Sequence, residues 1–369
     1  MNILIAADYS TPASGNFIGS LVDLGRDLKQ NNHKLFFVFP ESPNTVSEKS
    51  WVHWLENEGF KVYLTKHKDG EQALSFLQEV INKNNIDILH LHFGMYHKII
   101  LNHAKALGVK VFVHDHMEFN PKVSLAQQKV YCAVTSLKYR LNKINVICVN
   151  ERKCKAYLFA KRFFIPNGIS FKRNVTTFAT REETRKKLGL KDNQKLCLFL
   201  GWHLHTKGMD IAFKAIEKAS KSNPDIVLGV VGHSGSPSDN SLNSIKEFTG
   251  VDPHSSFIKF LESTDDIFAY HKVADVFLSS SRTEAFPYSV LEAISQNTPL
   301  VMSDIPATVW AHSYDKAFVY PTEDYSACAN AIEQAFQLDR NAPSNFGEFI
   351  EKYSIENWCK AIKDIYGIT

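Results

Sequence analysis

Short apolar runs of strand length alternate with helix-periodic segments along almost the whole of this chain, and that alternation limits what it can fold into. NILIAA, KLFFVF, KVYLT, DILHLHF, VKVFVHDH and NVICVN are the strand-like runs of the first half, separated by segments such as IGSLVDLGRDLKQ, SWVHWLENEG and EQALSFLQEVINKNN. Within the first of these segments Ile18, Leu21, Val22, Leu24 and Leu28 recur at helical spacing. A strand–helix–strand rhythm of this kind builds a parallel sheet covered on both faces. The rhythm breaks at the turn Pro166–Asn167–Gly168 and a polar stretch, SFKRNVTTFATREE, that reads as a linker. Thr180 and Glu183 then have the spacing of a capping box, and a second series runs from KLCLFLG through IVLGVVG, FIKFL and DVFLS to PLVMS. The chain has 369 residues, more than the roughly 250–300 at which a single core stops growing. The expectation is therefore two doubly wound α/β domains of similar size, divided at residues 172 and 173.

Composition narrows the setting. Six cysteines, Cys132, Cys148, Cys154, Cys197, Cys328 and Cys359, form no CxxC pair, which argues against a zinc site or a redox dithiol and for a reducing compartment. MNILIAADYSTP lacks the charged start and long apolar run of a signal peptide. No stretch reaches the roughly 18 apolar residues of a membrane span. A cytoplasmic protein, dissolved or resting on the inner face of the membrane, is expected. The net charge of +3 hides an asymmetry: residues 1–175 hold 23 Lys/Arg against 14 Asp/Glu. From Lys122 to Arg173 there are twelve basic residues and one acid, Glu151, interleaved with Tyr131, Tyr139, Tyr157, Phe159, Phe163 and Phe164. Such a stretch is either a solvated basic face or a docking surface for anionic lipid, at about 1 kcal/mol per charge near the membrane. The charge would also suit nucleic acid, but no nucleic-acid-binding motif accompanies it.

Ligands of open α/β sheets bind beyond the carboxyl ends of the strands, so the loops there are the places to look for chemistry. In FLGWHLHTKGMD, Gly201 turns the chain and Lys207–Gly208 precede a helix start, a ready phosphate site or a plain connection with a surface lysine. VVGHSGS offers Gly232 and Gly235 around His233 and Ser234. No GxGxxG is present, which counts against a dinucleotide enzyme of the usual kind. In SRTEAFPYSVLEA, Glu284 falls in the loop and Glu292 about a turn and a half inside the following helix, with Pro287 suited to the first helical turn. An ionised carboxylate only accepts hydrogen bonds and so favours hydroxyls, while a helix N-terminus favours an anion. A nucleotide sugar carries both. Ser289 with Glu292, and Ser281 with Glu284, equally fit capping boxes. In the first half, His90, His92, His114, Asp115 and His116 raise the idea of a metal site. The two strands that carry them need not meet, so metal binding is not expected. A histidine at a strand's carboxyl end, donating to a sugar, is the favoured reading. Gly15 and Asn16 lie where an acceptor or diphosphate could sit.

Taken in order, these motifs resemble the retaining glycosyltransferases of family 4. The resemblance rests on the loop after the first strand, His114–Asp115, PNG at 166–168, G-x5-KG at 201–208, VGHSG at 231–235 and the E-x7-E pair Glu284/Glu292. It also includes the closing EKYSIENWCKAIKDIY with Tyr353, Trp358 and Tyr366. It implies a GT-B fold: an N-terminal acceptor domain over 1–172, a donor domain over 173–350, the two facing across a cleft, and a helix over 351–369 crossing back to the first. It implies a hexosyltransferase acting with retention, without metal or other cofactor, on a nucleotide sugar, UDP most of all. The acceptor would be a glycan or a polyprenyl-lipid-linked sugar in cell-surface polysaccharide assembly.

The implied roles follow residue by residue. Lys207 binds the diphosphate, Glu292 the ribose and Glu284 the transferred sugar, helped by backbone N–H groups between Ala285 and Tyr288, with Phe286, Pro287 and Ser289 also lining the donor site. Gly201, His203, Gly232 and His233 complete the donor site. Gly15, Asn16, Phe17 and His114 lie on the acceptor side, with His114 reaching the donor sugar. Catalysis is assigned to Glu284, Lys207 and His114. The chain departs from the family pattern in having Trp202 where an arginine is usual, Ala285 and Asn297 for glycines, and Trp310 near the place of a glutamate. These departures keep two other readings open: a non-catalytic GT-B partner of a transferase, and a GT-B sugar-nucleotide epimerase.

Overall fold

The computed structural model describes residues 1–120, 122–170, 180–201, 203–233, 237–264 and 266–368. The chain divides into two compact units, Met1–Ser170 with Ile355–Thr369, and Phe171–Ser354.

The first unit runs β1 (Asn2–Ala7), α1 (Gly15–Gln30), β2 (Lys34–Pro40), α2 (Pro43–Val46), α3 (Val52–Asn57), β3 (Lys61–Thr65), α4 (Gly70–Asn84), β4 (Ile88–His92), α5 (His97–His103), β5 (Lys110–Asp115), α6 (Leu125–Leu141), β6 (Ile144–Cys148), α7 (Glu151–Ala156) and β7 (Lys161–Phe164). Its seven strands are all parallel, in the order β3-β2-β1-β4-β5-β6-β7, so the strand order reverses between β1 and β4. Alternate residues of the strands feed two cores. Leu4, Ala6, Leu89, Leu91, Val111 and Val113 pack on one face, and Ile3, Ile5, Phe37, Phe39, Phe112 and Ile147 on the other. Residues buried on both faces explain why the strands read as near-continuous apolar runs rather than as alternating patterns.

The second unit runs α8 (Arg181–Lys187), β8 (Lys195–Leu200), α9 (Met209–Ser222), β9 (Ile226–His233), α10 (Asp239–Thr249), β10 (Ile258–Glu262), α11 (Ile267–Val273), β11 (Val276–Ser279), α12 (Tyr288–Ser295), β12 (Leu300–Ser303), β13 (Ala317–Tyr320), α13 (Tyr325–Ala335) and α14 (Phe346–Lys352). Its six parallel strands are ordered β10-β9-β8-β11-β12-β13, and here the reversal falls between β8 and β11. The capping box at Thr180 and Glu183 starts α8 as expected.

The last helix, α15 (Ile355–Tyr366), belongs to the first unit. Ile355, Trp358, Cys359, Ile362 and Tyr366 recur at helical spacing, and this buried stripe joins the core on the α1 face of the first sheet. Lys363 pairs with Asp27 of α1 at 2.8 Å, and Lys110 donates to the carbonyls of Ile365 and Tyr366 at 2.9 and 3.0 Å.

Helix α6 and strand β7 are among the elements that escape the sequence reading. Helix α6 buries Cys132, Thr135, Ser136 and Tyr139 and exposes Val130, Val134, Leu137 and Leu141. Its apolar stripe thus faces outward, and its buried side is half polar, which blurs the expected pattern of a core-facing helix. Strand β7, KRFF, carries two basic residues at the edge of its sheet, where charge is an ordinary guard against further pairing.

Candidate functional site

The reversal of strand order between β8 and β11 opens a crevice at their carboxyl ends, the usual ligand position in such sheets. The two loops that leave it are 201–208, leading to α9, and 280–287, leading to α12. The structure ties them together. Ser280 donates its hydroxyl to the carbonyls of Lys207 and Gly208, both at 2.9 Å. The backbone amide of Arg282 donates to the carbonyl of Thr206 at 2.8 Å.

Gly208 is the N-cap of α9 with φ of +63°, and a β-carbon there would stand 2.0 Å from the Ser280 carbonyl oxygen. At Gly201 the stem of Lys207 lies so close that a β-carbon would meet its Cγ at 2.7 Å. Both glycines therefore allow the lysine loop to fold back over the strand end.

That fold brings Lys207 and Glu284 into contact. Lys207 Nζ donates to Glu284 Oε1 at 2.5 Å, and Ser281 Oγ donates to the same oxygen at 2.8 Å. Both side chains are largely shielded, at 26% and 14% exposure. An ammonium has three donors, so the contact with Glu284 takes one. The pairing of Ser281 with Glu284 foreseen as a capping box exists as a hydrogen bond within the loop, with no helix at that point. Pro287 is the N-cap of α12 rather than part of its first turn, and no side chain caps the helix, so the Ser289–Glu292 capping box does not form.

Arg282 is the residue that sequence reasoning missed. Its guanidinium grips Asp210 of α9 with two bonds of 2.8 Å, Glu323 with bonds of 2.5 and 2.7 Å, and the His205 carbonyl at 2.8 Å. The hydrogen bonds it donates to Asp210 and then to Glu323 raise its already high pKa further. A fork held by two carboxylates is a rigid clamp across three loops. The signal was faint, because Asp210 and Glu323 lie far from Arg282 in sequence.

Glu292, the fifth residue of α12, is buried at 6% exposure, with its carboxylate 3.6 Å from Nε2 of the fully buried His271. Burial lowers the His271 pKa, with Glu292 pulling the other way. His203 is exposed, and its carbonyl accepts from the Lys207 amide at 2.9 Å. Gly232 and His233 end β9. Trp202, Ser234 and Gly235 lie outside the described residues.

In the first unit, Gly15, Asn16 and Phe17 open α1 beside the β1–β4 reversal. Phe17 and Asn16 are buried, and the Phe17 ring packs against Tyr9, His92, Phe93 and His116. His114, assigned a sugar contact, is only 1% exposed. The histidine beside it with partial access is His116. The strands that carry these histidines do meet. Strands β4 and β5 are hydrogen-bonded neighbours, with His92 opposite His114. The expectation that the two sets need not come together is corrected by this register.

Comparison with known proteins agrees with the geometry. Residues 180–353 match the family described as Glycosyl transferases group 1. Along nearly the full chain, HepE of Anabaena in complex with UDP-glucose superposes at a TM-score of 0.76, with 15% identity and coverage of 100% of this chain and 99% of that one. A glycosyltransferase from Rickettsia africae gives 0.76 at 18% identity over 99% and 97%.

The chain has the GT-B fold.

Among sequence relatives, N-acetyl-alpha-D-glucosaminyl L-malate synthase of Bacillus anthracis is 23% identical over 363 residues, 92% of this chain and 88% of its own. The lipopolysaccharide core biosynthesis mannosyltransferase LpsB of Rhizobium meliloti is 24% identical over 237 residues, 62% of this chain and 67% of its own. These likenesses support glycosyl transfer as the class of reaction of this GT-B protein. In GT-B terms, the Lys207–Glu284 pair sits in the part of the chain that the family match covers.

Proposed function

We propose that this protein transfers a hexose from a nucleotide sugar, a UDP-sugar by preference, to a glycan or lipid-linked acceptor, with retention and without a metal in the donor site. The observation that carries the proposal is the meeting of Lys207 and Glu284 at the strand-order reversal of the second unit, at the foot of α12. A sugar diphosphate offers a partner to each. Lys207 and the N-terminal end of α12 take the diphosphate and hold its charge as the glycosidic bond breaks. Glu284 accepts hydrogen bonds from hydroxyls of the sugar, and Ser281 fixes its orientation. Glu292 is assigned the ribose, and the shielding of its carboxylate strengthens a hydrogen bond made there. HepE, a structural neighbour, has been solved in complex with UDP and with UDP-glucose, which favours uridine as the base.

The test is a thermal-shift series with UDP, GDP, dTDP, ADP and their sugars. A ligand that binds only the folded state raises the melting temperature. UDP and one UDP-sugar are expected to raise it, and Glu292→Ala to remove the shift while melting near the parent without ligand. No shift with any nucleotide would favour the non-catalytic reading. Sugar release from the donor with no acceptor present would favour the epimerase.

The acceptor side has its own observation. Helix α6 presents Val130, Val134, Leu137 and Leu141 at helical spacing on its exposed face, with Lys129, Lys138 and Arg140 exposed beside them. Leu158 and Phe159 are exposed too, and the Phe159 amide donates to Ser136 of α6 at 3.1 Å. No described helix is long and apolar enough to cross a membrane. An apolar stripe ringed with basic charge is the form that lies on an anionic lipid surface. Vesicles rich in phosphatidylglycerol should sediment the protein at low salt and lose it at high salt. Val134→Asp with Leu137→Asp should cut the bound fraction several-fold. Equal binding to neutral vesicles, or no effect of the double substitution, would remove the lipid surface from the scheme.

A further inference from the structure

The interior of the first sheet holds a group of polar rings to which the proposed donor site assigns no role. His90 and His92 point to one face of β4, His114 lies opposite His92 on β5, and His116 follows at the strand end. The four imidazoles stack on one another: His90 and His114 have centroids 5.3 Å apart and planes within 6°, and His114 and His116 are 4.3 Å apart. His90, His92 and His114 are buried to 1% exposure or less. A buried parallel strand is normally filled by Val, Ile or Leu, so three histidines there are costly unless something uses them.

Their hydrogen bonds are lopsided. His90 Nδ1 meets the Tyr366 hydroxyl at 2.6 Å, and His92 Nδ1 meets His116 Nε2 at 2.8 Å. Nε2 of both rings has no partner among the described residues, and His114 has none at either nitrogen. A buried polar nitrogen without a partner is costly. One ring nitrogen from each of His90, His92 and His114 falls within 4.8 Å of the other two.

We propose that His90, His92 and His114 bind a divalent first-row transition ion of the Zn²⁺ class, which ties β4 to β5. The pattern is that of metal-ligating histidines, where one ring nitrogen faces the ion and the other is held by a hydrogen-bonding neighbour. Tyr366 would serve His90 in that way and His116 would serve His92. A ligand set made only of imidazoles suits zinc, nickel or copper and excludes the oxygen-seeking magnesium and calcium. A tetrahedral ion with bonds of about 2.1 Å places its nitrogens roughly 3.4 Å apart, so binding draws the three rings inward by small side-chain rotations. The three histidines belong to the first unit and the donor loops to the second, and the metal-free donor reading does not depend on them.

The experiment uses the full chain without an affinity tag, stripped with a chelator, loaded with Zn²⁺ or Co²⁺ and desalted. Elemental analysis should find about one ion per chain, and the Co²⁺ form should show the intense visible absorption of a tetrahedral nitrogen site. His114→Gln should lose both signals. Tyr366→Phe should weaken affinity roughly 10–100-fold, as removal of an orienting neighbour does, and His53→Gln, at an exposed histidine, should change nothing. Failure of the parent chain to retain an ion, or retention with an unchanged Co²⁺ spectrum in His114→Gln, overturns the proposal. If His114→Gln does not fold, the Co²⁺ spectrum of the parent and the affinity of Tyr366→Phe decide.

Discussion

Replacing Lys207 with alanine is expected to lower glycosyl transfer by about 10²–10³-fold, the usual cost of removing one preorganised donor to a developing negative charge. The lysine is held at its post by Glu284 at 2.5 Å and by a backbone that Gly201 and Gly208 allow to fold close. In the free protein Glu284 keeps its bond from Ser281 when Lys207 is removed, so the fold should survive and the melting temperature change little. The measurement is steady-state transfer from a UDP-sugar, with circular dichroism as the control for folding. A fall in kcat/KM carried by kcat marks stabilisation of the departing diphosphate. A fall carried by KM alone marks uniform binding. Activity within tenfold of the parent would show that Lys207 does not carry the diphosphate's charge. Lys207→Arg should recover part of the loss, since it restores charge but not the point geometry of an ammonium.

The second large effect is expected at Gly208→Val. The residue sits at φ of +63°, and any β-carbon would stand 2.0 Å from the Ser280 carbonyl oxygen. Backbone strain at such a position costs about 1–3 kcal/mol for a non-glycine residue. Overpacking adds about 1–3 kcal/mol more, because the obstructing atom is backbone and the hydroxyl of the same serine holds the adjacent Lys207 and Gly208 carbonyls. The variant should unfold at clearly lower urea concentration and lose any thermal shift by UDP even where it remains folded. A variant that melts with the parent would mean that the two loops can part freely, against the description of a rigid donor site.

Much of this was legible in the residues and some was not. The strand–helix rhythm exposed both sheets because buried parallel strands are almost purely apolar, as in NILIAA and KLCLFL. The two glutamates and the lysine stood out because glycine and proline punctuate the loops that carry them. Their contact was not legible, since it depends on the strand order, which places β11 next to β8 across a gap of two strands in sequence. Arg282 was invisible for the same reason: its partners Asp210 and Glu323 are 72 and 41 residues away. Helix α6 was lost because its outward stripe is apolar and its inward one mixed. The histidine group was seen in the sequence, and its dismissal turned on a pairing that the alternation of residues along a single strand cannot reveal.

The return of α15 to the first unit has a consequence for how the protein is made. The core beneath α1 is not complete until Ile355, Trp358, Ile362, Tyr366 and Ile368 take their places, so the portion translated first is the one whose interior closes last. The portion translated in between, contiguous in the chain, can settle while its predecessor still waits with an apolar helix uncovered. Synthesis from the N-terminus ordinarily lets domains fold in the order they emerge; here the order of emergence and the order of completion are reversed. A nascent chain stalled before residue 355 would display that bare helix to the chaperones and proteases around the ribosome.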